Sequence, residues 1–167
     1  SGASAGEDRA DESQAGRSSS AGVNGDDGDG NQAGNVDKTI EMTGNDAMKY
    51  NIRAFTVKPG SRVKIHFEHV GKQSRAAMGH NVVIVEQGID PVAFARQCVS
   101  QGSLANGYLP TKETTRAKII AATDLIGGGE TTSVTFTVPE KTGDYPFLCT
   151  FPAHAQANMT GTMKVRN

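Results

Sequence analysis

Cysteine is scarce in this sequence: Cys98 and Cys149 are the only two, they could form one disulfide at most, and two thiols say little about the redox compartment. No apolar run approaches the length of a membrane span, and no signal-like segment opens the chain. It begins with Ser rather than Met, so the expectation is a processed or truncated product, with any export signal, lipid attachment or membrane helix upstream. Aromatic residues make up only 5 % and form no set of stacking positions, and no Lys/Arg-dense stripe is present. Nucleic acid is therefore excluded as a partner.

Residues 1–36 lack more. They contain no aromatic residue, no Leu and no Ile, and Val23 and Val36 are their only large apolar side chains. Such a stretch cannot bury enough apolar surface to offset its ordering entropy, so it reads as a disordered, Gly/Ser-rich tail or tether. Its acidic residues (Glu7, Asp8, Asp11, Glu12, Asp26, Asp27, Asp29) face only Arg9 and Arg17, a net charge of −5. The remaining 11 acidic and 15 basic residues leave residues 37–167 at +4, so a near-neutral total hides an acidic tail on a mildly basic body.

That body reads as all-β. In "SRVKIHFEHV" Val63, Ile65 and Phe67 share one face while Lys64, His66 and Glu68 share the other, and Val134, Phe136 and Val138 alternate in "TTSVTFTV". "HNVVIVE" is continuously apolar, as expected of a strand covered on both faces. "KTIEMTG", "YNIRAFTV", "RAKIIAAT", "GDYPFLC" and "GTMKVRN" complete the strand candidates. Turn residues separate these runs at short spacing, which favours a Greek-key β-sandwich over a parallel sheet. One short inserted helix is expected from Pro91 to about Asn106, with Asp90 and Pro91 as N-cap and first-turn pair and Cys98 on the apolar face as a small buried hydrophobe.

Chemistry gathers near the C-terminus. "CTFPAHAQANM" places Cys149, His154 and Met159 within eleven residues, four residues lying between each pair. A thiolate, imidazoles and a weak thioether are the donors of electron-transfer copper centres. Zinc fits less well, since Met is a poor zinc ligand and no second Cys lies nearby. Nucleophilic Cys/His chemistry would need an orienting partner for the His and an oxyanion site, and neither is signalled. Spacing alone favours a metal site, with an ordinary loop whose Met merely packs as the alternative. A second imidazole must come from elsewhere. His66 shares the polar face of its strand; His69 shares the inward parity and reads as a hydrogen-bonded core histidine near the site. His80, in "MGHN" at the start of an apolar strand, has a Gly that lets backbone come close and an Asn able to orient neighbours.

"MGHNVVIV", "DLIGGGETTSVTFTV" and "YPFLCTFPAHAQANMTGTMKV" resemble the blue copper proteins of the azurin and plastocyanin group, the cupredoxins, in matching order from about Lys38 to Asn167. Within that family the pattern is most similar to the auracyanin branch, in which an acidic or polar tail precedes the copper domain. The resemblance implies a cupredoxin domain over 37–167 with one mononuclear type 1 copper, held by His80, Cys149, His154 and Met159. It also implies a weak axial carbonyl from Gly79 and a hydrogen-bonding brace from Asn81. Met78 and Ala153 match the apolar surface around the exposed loop histidine, through which electrons pass, and His69 matches a non-ligand histidine beside the site. The gap between loop His and Met is one residue longer than the azurin gap, which would have placed the Met at Asn158, and the azurin N-terminal disulfide is absent.

The resemblance implies a monomeric one-electron carrier, not an enzyme. It would be periplasmic or tethered to a membrane surface, and would shuttle electrons between a quinol-oxidising complex and a photosynthetic reaction centre or its cytochrome. A copper-delivery protein and a cupredoxin domain of a larger copper enzyme are the alternatives.

Overall fold

The computed structural model describes residues 35–167, so the expected tail over 1–36 lies almost wholly outside the described residues. Among the described residues, eight strands form two sheets: β1 (Lys38–Gly44), β2 (Ala54–Val57), β3 (Arg62–His69), β4 (Val83–Val85), β5 (Ile119–Ala122), β6 (Thr131–Thr137), β7 (Gly143–Leu148) and β8 (Thr160–Val165). One sheet runs β1-β3-β6 and the other β2-β8-β7-β4-β5, the Greek-key sandwich expected. Two pairings, β1 with β3 and β2 with β8, are parallel within otherwise antiparallel sheets.

The period-two pattern decides which faces meet. Val63, Ile65 and Phe67 of β3 and Val134 and Phe136 of β6 point into the sandwich, where Ile84, Phe147 and Met163 of the other sheet meet them. Full burial of each such side chain contributes about 1.5–3 kcal/mol. The apolar run of β4 is explained by two cores: Ile84 faces the sandwich, while Val83 and Val85 face helix α2 (Pro91–Gln101). Phe94, Ala95 and Cys98 of that helix fill the second core, and both cysteines are free thiols.

The helix is shorter than the periodicity implied. Asp90 caps it by accepting from the Val92 amide, but Gly102 turns extended and ends it, and a separate 3-10 turn follows at Leu104–Asn106. Two further single-turn helices, α1 (Arg75–Met78) and α3 (Glu113–Arg116), were not expected, because four residues are too few to show a helical period. Likewise "YNIRAFTV" forms a strand only from Ala54, while Tyr50 makes an isolated bridge to Gly44. No helix among the described residues is long and apolar enough to cross a membrane.

Candidate metal centre

Strand pairing creates the site. Antiparallel pairing of β4 with β7 sets Val83 opposite Leu148, which carries the segment before β4 alongside the residue after β7. His80 and Cys149, 69 residues apart in sequence, thereby meet. Beyond Cys149 the chain turns at Pro152 and Ala153, with the His154 amide bonded to the Phe151 carbonyl at 3.1 Å. A 3-10 turn at Ala155–Ala157 follows, and Asn158, left-handed at φ 74°, ends it. The loop then closes on itself: the Met159 amide donates to the His154 carbonyl at 3.0 Å, and the Cys149 amide donates to the Met159 carbonyl at 3.1 Å.

The side chains converge accordingly. Cys149 Sγ lies 3.9 Å from His80 Nδ1 and 3.5 Å from His154 Nδ1, and the three donor atoms all lie within 4.8 Å of one another. Metal–ligand bonds of ~2.0–2.3 Å at ~120° would separate an imidazole nitrogen and a thiolate sulfur by about 3.8 Å. The spacing therefore fits a single ion between the three donors, and the soft S/N/N set suits copper. Met159 is buried at the same end of the sandwich. A Cβ built on Gly44 would lie 3.0 Å from both its Cε and His80 Cδ2, so thioether and imidazole flank one glycine. The Gly79 carbonyl stands 3.8 Å from Cys149 Sγ. Gly79 itself must lack a side chain, since a Cβ would lie 2.6 Å from the Arg75 carbonyl oxygen.

The His80 imidazole is oriented by its backbone partner. His80 Nε2 is 2.7 Å from the Asn45 carbonyl and donates to it, leaving Nδ1 free to face the sulfur. The backbone of His80 is bonded both ways to Ile126, which explains the "LIGGGE" stretch as the support behind this ligand arm. His69 is buried, stacks on His80 at 4.4 Å and does not join the donor cluster. Its Nδ1 accepts from the Gly71 amide at 3.1 Å and its Nε2 donates to the Met78 carbonyl at 2.8 Å, the hydrogen-bonded core histidine expected. His66 sits on the outer face, 2.8 Å from Glu41.

Burial sets the protonation states. It pushes the Cys149 thiol up to about 12 and lowers both His80 and His154 to about 4; at His154 the charges of His80 and His69 add to the effect. Near neutral pH the imidazoles are unprotonated donors, and only the thiol must release a proton to bind a cation.

Asn81 is the brace. Its Oδ1 accepts from the Thr150 amide at 2.9 Å, and its Nδ2 donates to Thr150 Oγ1 at 2.9 Å and to the Gly107 carbonyl at 3.3 Å. Asn81 adjoins His80 and Thr150 adjoins Cys149, so one amide side chain spans two ligand arms. Ala153 is exposed and Met78 half-buried beside the loop, but His154 is only 3 % exposed, so no more than a ring edge reaches the surface described as exposed from the sequence. Sequence reasoning missed Asn45, Gly107, Thr150 and Tyr50. The first two act through main-chain carbonyls, which leave no trace in side-chain identity. Thr150 carries no feature that sets it apart within the loop sequence, and Tyr50 reads as an ordinary strand former.

The sequence profile of the copper binding proteins of the plastocyanin/azurin family matches residues 36–166. The chain belongs to that family. This cupredoxin is 41 % identical over 138 residues to an azurin of Achromobacter denitrificans, covering 81 % of this chain and 87 % of that protein. It is 40 % identical over 130 residues to azurin-2 of Alcaligenes xylosoxydans xylosoxydans, covering 76 % and 95 %. Among solved structures it is similar to the dithionite-reduced auracyanin of the photosynthetic bacterium Roseiflexus castenholzii, with a TM-score of 0.68, 34 % identity and coverage of 79 % of this chain and 99 % of that one. Auracyanin B superposes with a TM-score of 0.66 at 28 % identity, covering 79 % and 91 %. As a cupredoxin the chain is a copper-binding electron carrier that works with redox protein partners, and not an enzyme.

Proposed function

We propose that His80, Cys149 and His154 would hold one type 1 copper, with Met159 as a weaker thioether donor and the Gly79 carbonyl close by. The convergence of Cys149 Sγ with the two Nδ1 atoms, at 3.9 and 3.5 Å, carries this reading. When bound, the copper supplies a one-electron Cu(I)/Cu(II) couple. The chain's own residues do the rest: Asn45 and Asn81 hold the ligand arms still, so little rearranges when an electron arrives. A delivery protein would need exchangeable donors, whereas His80, Cys149 and Met159 are 0 % exposed and His154 is 3 % exposed, which favours electron transfer over copper transfer.

The likeness to an auracyanin from a photosynthetic bacterium supports a finer reading. The chain acts as a monomer in the periplasm, tethered to the membrane through its N-terminal segment. It carries electrons from a quinol-oxidising complex to a photosynthetic reaction centre or its cytochrome.

The ligand set is tested by loading the protein with Cu(II). An intense visible thiolate-to-copper band should appear, bleach on mild reduction, return on oxidation and vanish in Cys149→Ser. A band that survives that substitution, or never forms, refutes the assignment.

A further inference from the structure

Tyr50 places a buried hydroxyl against the main chain of the brace between the ligand arms. Its ring packs edge-on against Phe67 at 6.0 Å and Phe147 at 5.3 Å, contacts a Phe would make equally well. The hydroxyl therefore needs its own explanation, because a buried O–H is tolerated only where it has a partner. The partner is the main-chain carbonyl of Asn81, which accepts from Tyr50 Oη at 2.6 Å. Asn81 is thus gripped at both ends: its side chain by Thr150 and Gly107, its carbonyl by Tyr50. From the other side, the Tyr50 backbone bridges to Gly44, next to the Asn45 carbonyl that receives the His80 Nε2 proton.

We propose that Tyr50 is a positioning residue of the copper centre: its hydroxyl pins the Asn81 carbonyl and so fixes the His80 arm relative to the Cys149 arm. This rests on the ligand assignment above. Loss of the hydroxyl frees the peptide that follows Asn81, one residue beyond His80, while leaving the ring packing in place.

The test is Tyr50→Phe in the full chain, with Tyr145→Phe as comparison. Tyr145 also donates to a main-chain carbonyl, that of Lys141 at 2.7 Å, but makes no contact with the brace. Cu(II) affinity is read by chelator competition, the site by its visible and EPR spectra, and the fold by melting of the copper-free protein. Removing such an outer partner weakens metal binding by roughly 10–100-fold. The expected result is that loss of affinity and a shifted thiolate band for Tyr50→Phe, with both unchanged for Tyr145→Phe although each variant melts lower. Should Tyr50→Phe not fold, 3-fluorotyrosine is incorporated in the Tyr108→Phe/Tyr145→Phe background, so that Tyr50 alone carries the more acidic hydroxyl. The band should then shift in response to the stronger donor. A band in the unsubstituted protein that neither arm moves overturns the inference alone. A missing band in the unsubstituted protein overturns the copper assignment and the inference with it.

Discussion

Gly44→Ala is the substitution that most directly probes how tightly the site is packed. Gly44 ends β1 opposite His69, and its φ lies outside the left-handed region, so alanine meets no backbone penalty there. The obstacle is space: a Cβ would sit 3.0 Å from His80 Cδ2, Met159 Cε and Phe67 Cζ at once. Carbon atoms prefer ~3.5–4.0 Å, so three contacts are each about 0.5–1 Å too short. Phe67 is fully buried and held by the core, and His80 is held by its bond to Asn45 and its stacking on His69. The methionine has the only flexible chain end of the three, so Met159 yields. Overpacking of this kind costs about 1–3 kcal/mol. For a domain of this size that lowers the melting temperature of the copper-free protein by roughly 3–12 °C. In the copper-loaded protein a retreating thioether donates less to the metal, which favours the reduced state, so the reduction potential rises. Calorimetry of the copper-free form and voltammetry of the loaded form measure the two effects. A variant that melts within about 1 °C of the parent and keeps its potential refutes the packing argument. One that melts lower but keeps its potential refutes the axial role of Met159.

Two further outcomes follow from the same region. Ala153 is left-handed at φ 72°, a conformation costing an L-residue ~1–2 kcal/mol, while a glycine gives back ~0.4–1 kcal/mol through the unfolded chain. Ala153→Gly should therefore stabilise the copper-free protein by about 0.5–1 kcal/mol in urea denaturation, and a clear loss of stability would contradict the strain. Burial lowers His80 and His154 from 6.5 to about 4, so between these pH values the unfolded chain binds protons that the folded chain refuses. Stability of the copper-free protein should be full above about pH 6.5 and fall as the pH drops toward 4; a melting temperature that rises over that interval would contradict the burial argument.

The sandwich was legible because strand burial has a period of two, and β3 and β6 announce it residue by residue. The single-turn helices were not, since a period cannot be seen in one turn. The site divides along the same line. Cys149, His154 and Met159 stand together in sequence, so their chemistry could be read by proximity. His80 could be singled out among the histidines by its "MGHN" setting but named as the missing donor only by resemblance, because β4–β7 register, not sequence distance, brings it to Cys149. The Asn45, Gly107 and Asn81 carbonyls are invisible for a deeper reason: every residue has such a group, and only the fold selects which ones meet His80 or the brace beside it.

The four-residue gap before Met159 shows how far counting goes and where geometry must take over. Counting establishes that one residue more than the azurin spacing must fit between His154 and Met159, but not where the chain absorbs it. Between the two residues the chain reverses at Asn158, whose left-handed backbone ends the 3-10 turn with its amide bonded to the Ala155 carbonyl at 2.9 Å. Asn is among the residues that accept this conformation most readily. The reversal there returns the Met159 backbone to both His154 and Cys149, its amide donating to the His154 carbonyl and its carbonyl accepting from the Cys149 amide. The four-residue gap is thus tied at both ends by main-chain hydrogen bonds, so a loop of this length does not by itself mean a looser site.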